Sequence, residues 1–230
     1  MPLVQLHNTS FSPVGLWQFD GNLNDSSGNG FTLSVFSGTE RYATLLPGLK
    51  GVLLIDSSLE KATYASALAI TGNLTIECFL SLPYYSSSTA KWLIGHEDSG
   101  ETPADNCLYS IQMLTATNRL GFFSESGSGV DASYELTDVL PPTTLCHFAM
   151  TRISNVIRFY VNGRPFGSPS GTLTPPTDGT DGRFSIGSRS LNAPDCTLAS
   201  LKILNVGLSA SQIAGEYNRT LGTLYGIYLP

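Results

Sequence analysis

The segment Leu74–Leu82 (LTIECFLSL) alternates without a break. Leu74, Ile76, Cys78, Leu80 and Leu82 fall on one side, and Thr75, Glu77, Phe79 and Ser81 on the other. A period of two belongs to a β-strand, because successive Cβ atoms leave opposite faces of the pleat. The same period returns in Leu145–Thr151 and Ile153–Val161, joined through Arg152–Asn155. Cys107–Leu114 and Arg119–Ser124 read as a hairpin across Thr117 and Asn118. Shorter strand-like pieces lie at 16–19, 31–36, 51–55, 68–70, 92–95, 133–136, 184–186 and 197–204. Between them stand Gly, Asn, Asp and Ser clusters that bend the backbone, such as DGNLNDSSGNG over 20–30. Roughly a dozen short strands with turns between them are the pattern of a sandwich or jelly roll.

One helix is expected, over about 210–218. Ser209 and Gln212 have the spacing of a capping box, and Ile213 and Tyr217 lie one turn apart on one face. No linker or repeat divides 11–219, so the chain reads as an N-terminal arm over 1–10, one domain over 11–219 and an apolar tail over 220–230.

Composition removes several function classes. Charged residues make up 13% of the chain, about half the usual share. The net charge is −6, and the 12 Lys and Arg do not cluster, whereas a phosphate-backbone binder needs a concentrated basic face. Nucleic acid is therefore not an expected partner. No apolar run has the roughly 20 residues of a membrane span. Residues 1–13 carry neither a basic nor an apolar signal region, so the expectation is either a signal that lies outside this sequence or a protein that matures without one. Four cysteines show no metal spacing. Cys78 and Cys146 sit in apolar strands and read as buried, and a Cys107–Cys196 bridge stays open. Asn73-Leu74-Thr75 matches a glycosylation sequon but enters a strand.

Taken in order, WQFDGN…DSSGNG, LTIECFL, HFAMTR, IRFYVNGRPFG, FSIGS and LASLKILNVGLSASQI resemble the laminin-G-like branch of the concanavalin-A-like lectin and glucanase jelly rolls. The resemblance runs over about 11–217. It implies an all-β antiparallel sandwich with one short helix near the C-terminus. In this pattern His147 takes a structural place in its strand. The family's strand Trp is Phe79 here, its hairpin Asp is Asn162, its final Glu is Gln212, and the acidic residue opening its last strand falls near Ala199.

Glucanases of that superfamily carry E-x-D-x-x-E on one strand, which sets carboxylates on one face for acid–base cleavage. This chain lacks it. Glu97, Asp98 and Glu101 lie in a turn, and three scattered histidines make no triad. The expectation is a non-enzyme. Many relatives bind Ca²⁺, and the resemblance makes Asp20, Asn22 and Asp25 candidate ligands, with Glu97, Asp98, Asp105 and Asn106 as another set. Such an ion wants about six to eight oxygens, and Asp20 and Asp25 equally suit a turn-fixing role. A glycan would need an aromatic platform beside planar polar groups. Tyr84 and Tyr85 could supply the first, and Arg189, Asn192 and Asp195 the second.

Three functions compete, of which the first is preferred and the last is a hydrolase with a degenerate motif around Glu97 or Asp98. The first is a virion structural or decoration protein, as from a phage, made in the host cytoplasm and oligomeric. It would bind capsid or tail subunits through its uncharged ends, with Leu224, Tyr225, Ile227, Tyr228 and Leu229 as assembly contacts. The second is an extracellular or cell-surface carbohydrate-binding or adhesion module.

Overall fold

The computed structural model describes residues 11–35, 39–47, 49–54, 61–63, 66–82, 91–97, 107–114, 119–126, 130–140, 143–176, 182–187 and 195–225. Two antiparallel sheets face each other. The first contains β1 (Gly15–Trp17), β3 (Tyr42–Leu46), β4 (Leu49–Leu54), β6 (Leu74–Leu82), β11 (Thr143–Ile153), β12 (Val156–Val161), β13 (Arg164–Phe166) and β15 (Cys196–Leu204). Its order is β13-β12-β11-β6-β15-β4-β3, with β1 taking over from β4 along β15. The second contains β2 (Ser34–Val35), β5 (Lys61–Thr63), β7 (Lys91–Glu97), β8 (Cys107–Met113), β9 (Leu120–Ser126), β10 (Val130–Glu135) and β14 (Arg183–Ile186), in the order β10-β9-β8-β7-β14-β5-β2.

The alternation read in β6 decides its packing. Leu74, Ile76, Cys78, Leu80 and Leu82 enter the core between the sheets, where they meet Ile111, Met113, Phe122, Phe148 and Phe184. Trp17 stacks on Phe184 with ring centroids 5.1 Å apart, and its Nε1 donates to Phe31 O at 2.9 Å. Full burial of each such side chain stabilises by about 1.5–3 kcal/mol.

Two hairpins follow from turn chemistry. Ser154 and Asn155, then Asn162 and Gly163, all take positive φ, the geometry a two-residue hairpin turn demands. Asn162 fixes its turn further: its Oδ1 accepts from His147 N at 2.9 Å, while its own N donates to His147 O at 2.8 Å.

The outer side of β6 is not solvated. Thr75, Glu77 and Phe79 are as buried as the inward row: α1 (Ala210–Tyr225) and the segment before it lie over Thr75 and Glu77, and Leu45, Leu46, Leu49 and Leu145 pack around Phe79. Ile213 and Leu208 pack with Ala149, Tyr160 and Leu204, and Phe11 closes the cluster. The capping box forms as expected: Ser209 N donates to Gln212 Oε1 at 2.8 Å and Gln212 N to Ser209 Oγ at 3.3 Å. The helix is longer than its cap and first apolar pair imply. It runs on through Leu224 and Tyr225, since the one-face spacing of Ile213, Tyr217, Thr220 and Leu224 is unbroken. Three smaller expectations also change. Residues 66–68 form a turn of 3₁₀ helix, the 31–36 strand shrinks to Ser34–Val35, and Tyr42–Leu46 is a strand with weak alternation. All four cysteines are free and buried, Cys107 in the second sheet and Cys196 in the first, so they are not bridged.

Candidate functional site

Register brings two separate loops to one rim. In the first sheet Ser81 of β6 is opposite Thr197 of β15; in the second, Ile94 of β7 is opposite Ile186 of β14. The connection from β6 to β7 and that from β14 to β15 therefore leave from, and arrive at, adjacent strands at the same end of the sandwich. The first carries Tyr84 and Tyr85, the second Arg189, Asn192 and Asp195. Asp195 is exposed just before β15; Tyr84, Tyr85, Arg189 and Asn192 lie outside the described residues.

Beside that rim, the outer face of the second sheet begins with Trp92. A bulge between Trp92 and Ile94 adds one residue to β7. Trp92 and Gly95 therefore share the outward face, although they are three apart in sequence. The indole lies across Gly95, where a Cβ would come within 2.5 Å of Cζ2. The Trp92 side chain is buried, but on this outer face and not in the inter-sheet core. Among the described residues its Nε1 has no hydrogen-bond partner. Gln112 stands opposite Trp92 and donates to Ser110 Oγ at 3.2 Å. Sequence periodicity missed this residue because the bulge shifts the parity, and the Gly three positions on was the available signal.

The Asp20–Asp25 turn is tied to the protein itself. Asp25 Oδ1 accepts from Leu16 N at 3.0 Å and Ser27 N at 2.8 Å, and its Oδ2 accepts from Ser27 Oγ at 2.7 Å and Phe31 N at 2.9 Å. Partial burial pulls its pKa upward, but these bonds outweigh burial and hold the carboxyl below its ordinary range. Asn22 Oδ1 accepts from Asn24 N at 2.9 Å, and Asp20 pairs with Lys50 at 3.8 Å. Among the described residues no group of three His, Cys, Asp or Glu is placed to hold a metal. Glu97 ends β7 beside Cys107, and Asp98, Glu101, Asp105 and Asn106 lie outside the described residues.

The strongest electrostatics lie under α1. Lys202 Nζ pairs with Glu77 across β6 and β15 and with Glu216 Oε2 at 2.9 Å, while Arg219 Nη2 reaches Glu216 Oε1 at 2.8 Å. Burial raises the Glu77 pKa against the pull of Lys202. Burial, then the Lys202 charge, lowers that of His147 to about 3. His147 is thus neutral, packed at ring-centroid distances of 5.5 Å from Phe79 and 5.6 Å from Tyr217. This cluster clamps the helix, with both of its carboxylates already paired to cations. The sequon is equally structural: Thr75 Oγ1 donates to Val206 O at 2.7 Å and accepts from Leu208 N, and Asn73 Oδ1 accepts from Ser154 N.

With this geometry in place, the sequence matches the Laminin_G_3 family, described as the concanavalin A-like lectin/glucanases superfamily, over residues 56–214. The chain belongs to that superfamily. No curated protein sequence matches this laminin-G-like domain. Among solved structures it is similar to domain 4 of AbnA, a GH43 extracellular arabinanase from Geobacillus stearothermophilus, in complex with arabinotriose. The identity is 16% over 90% of this chain and 98% of the other, with a TM-score of 0.68. It is also similar to the receptor-binding domain of botulinum neurotoxin type G, at 14% identity over 90% of this chain and 51% of the other, TM-score 0.67. A third is the ligand-binding domain of botulinum neurotoxin serotype D in complex with N-acetylneuraminic acid, at 14% identity, 90% and 50% coverage and TM-score 0.68. The laminin-G-like domain spans about half the length of the two neurotoxin chains. At these identities the likeness establishes the jelly-roll fold and nothing finer.

Proposed function

We propose that this laminin-G-like domain is a non-catalytic carbohydrate-binding module, with its ligand at the rim where the β6–β7 and β14–β15 connections meet. The observation that carries the reading is the paired register, Ser81 with Thr197 and Ile94 with Ile186. It starts and ends both connections at one end of the fold, which supports putting the Tyr84–Tyr85 pair and the Arg189, Asn192 and Asp195 set in one site. Aromatic faces beside planar polar groups are what a sugar ring needs, its C–H face stacking and its hydroxyls hydrogen-bonding. α1 packs on the outer face of the first sheet; the outer face of the second, led by Trp92, adjoins this rim, and among the described residues no helix lies across it. The superfamily membership and the two sugar-bound structural neighbours support the same reading.

Glycan-array screening and calorimetry of the chain test it, with calcium and with a chelator to decide whether Ca²⁺ takes part. Binding that falls at least about tenfold in Tyr84→Ala or Tyr85→Ala, without release of reducing sugar, is expected. Absence of binding to any neutral or acidic glycan, or turnover of a polysaccharide by the pure protein, would overturn the proposal.

One observation favours a second reading, a virion structural role with capsid or tail subunits as partners. The sequence after Thr220 is uncharged and rich in Leu and Tyr. Leu224 and Tyr225 belong to α1, while Ile227, Tyr228 and Leu229 lie outside the described residues. Unchanged incorporation into particles after deletion of 226–230 would remove that support. Among the described residues no helix is long and apolar enough to cross a membrane.

A further inference from the structure

A groove of about 440 Å³ separates the Asn162–Gly163 turn of the β12–β13 hairpin from the second half of α1. It lies on the helix-covered sheet and draws no residue from the two rim connections. Its walls are Asn162, Gly163 and Arg164 on one side and Tyr217 and Asn218 on the other. Gly163 sets the width: with φ of +73°, it lets the helix approach until a Cβ there would be 2.8 Å from Tyr217 Cδ1. The His147 ring lies 5.6 Å from the Tyr217 ring, so the ring is held in place and the phenol end serves the groove.

The groove is lined by polar groups that the protein leaves unused. Among the described residues the side chains of Arg164 and Asn218 and the Tyr217 hydroxyl make no hydrogen bond or ion pair, and Arg164 is exposed. The nearby helix carboxylate cannot neutralise Arg164, because Glu216 is buried with one oxygen on Lys202 and the other on Arg219. Burial holds the Tyr217 phenol above its ordinary range despite the opposing Arg164 charge, so it is a donor at neutral pH. One guanidinium and one phenol match a planar monoanion, which Arg grips with two parallel bonds. A carboxamide beside them can both donate to and accept from hydroxyls. The volume falls in the range of small-molecule sites, about 300–1,000 Å³.

We propose that this groove is a ligand site for a single acidic sugar, with Arg164 and Tyr217 holding the carboxylate and Asn218 a ring hydroxyl. The site stands apart from the rim and does not depend on it. The test is a titration of the full chain, followed by amide NMR, with sodium glucuronate, N-acetylneuraminate, galactose and inorganic phosphate in separate arms. At least one of the two acidic sugars shifts the signals of 162–164 and 217–218 at millimolar concentration, and galactose and phosphate do not. Arg164→Gln, an exposed position that leaves the melting temperature unchanged, weakens that binding at least about tenfold. Tyr217→Phe keeps the packed ring and weakens it several-fold. Tyr85→Ala leaves it unchanged, which separates this site from the rim. Silence of both acids, an equal response to galactose or phosphate, or full affinity in Arg164→Gln would overturn the proposal.

Discussion

Lys202 Nζ sits 2.9 Å from Glu216 Oε2, with no solvent access, and so ties α1 to the middle of the first sheet. The same ammonium pairs with Glu77 on the neighbouring strand. Two buried carboxylates thus share one buried cation, with Arg219 supplying the outer charge. Removing the cation leaves both acids desolvated. Lys202→Met is expected to lose about 3–5 kcal/mol in urea unfolding. Adding Glu77→Leu and Glu216→Gln recovers most of that loss, since an apolar replacement of a buried ionic cluster is close to neutral. Failure of the triple variant to recover would mean that the cluster positions the helix by more than charge balance.

His147 makes the fold sensitive to mild acid. Burial and Lys202 hold its folded pKa at about 3, against 6.5 when exposed. Below pH 6.5 the unfolded chain takes up a proton that the folded chain refuses, so stability falls progressively towards pH 3. Glu77 works in the other direction. Its pKa is raised above 4.5, so between those two values acidification favours the folded chain. The urea midpoint of the wild type should fall between about pH 7 and about pH 5, and that of His147→Gln should fall less. Parallel pH profiles for the two proteins would show that His147 is not the group responsible.

Arg152 is an inward residue of β11 with no carboxylate beside it among the described residues. Its Nε donates to Gly72 O at 2.7 Å, Nη1 to Leu108 O at 3.1 Å and Nη2 to Ile70 O at 2.5 Å. Burial lowers its pKa to about 10, so the charge remains at neutral pH. The fork fastens the entry to β6 against the second sheet, beside Tyr109, whose hydroxyl donates to Leu68 O at 2.8 Å. Arg152→Met orphans these carbonyls and should lose about 3 kcal/mol or more. Arg152→Lys rescues little, because a single ammonium cannot span the planar fork. Equal stability of the lysine variant would show that charge alone matters there.

These residues also mark where the sequence stops being legible. The sandwich was readable because β6, β11 and β12 each keep a period of two, and in β6 that period survives in which residues join the inter-sheet core: Leu74, Ile76, Cys78, Leu80 and Leu82 do, and Phe79 packs in a separate cluster. The helix start was readable from Ser209 and Gln212, a local exchange of two bonds. Glu77, Lys202 and Glu216 were not readable as a cluster. Glu77 lies on β6, far earlier in the chain than the other two, and Lys202 and Glu216 are on consecutive elements; only register and the lay of the helix bring all three together. Arg152 reads as a polar residue at a strand end until Gly72 and Leu108 arrive from elsewhere. The alternation of β7 does not assign Trp92 to the outer face, because one bulge reverses it. The two rim loops were each named from composition, but that both start and end at one end of the sandwich is a consequence of strand order.

Asp25 separates a turn lock from a metal ligand. Its two oxygens already accept from Leu16, Ser27 and Phe31. Asp25→Ala should lower stability by about 2 kcal/mol, the loss of several charge-assisted bonds less the water that replaces them. The loss should be the same in excess calcium and in chelator. A destabilisation that appears only with calcium present would assign the carboxylate to an ion instead.

Gly95 reports on the outer face of the second sheet. A Cβ at this position would lie 2.5 Å from Trp92 Cζ2 and 2.9 Å from Tyr109 O. The carbonyl belongs to the neighbouring strand and cannot move far, so in Gly95→Ala the indole must leave its place. The chain has two tryptophans, and Trp17 is fully buried in the inter-sheet core. A red shift of the emission in Gly95→Ala therefore comes from Trp92 alone, with a stability loss of about 1–3 kcal/mol. Because Trp92 adjoins the rim, saccharide affinity there should fall in the same variant. Gly121→Ala is the control. Its Cβ would meet the Phe123 ring at 2.7 Å on the same face, two strands away from Trp92, and should leave both the emission and the rim affinity in place. An unshifted spectrum in Gly95→Ala would put Trp92 elsewhere, and a shifted spectrum with full saccharide affinity would detach the indole from the rim site.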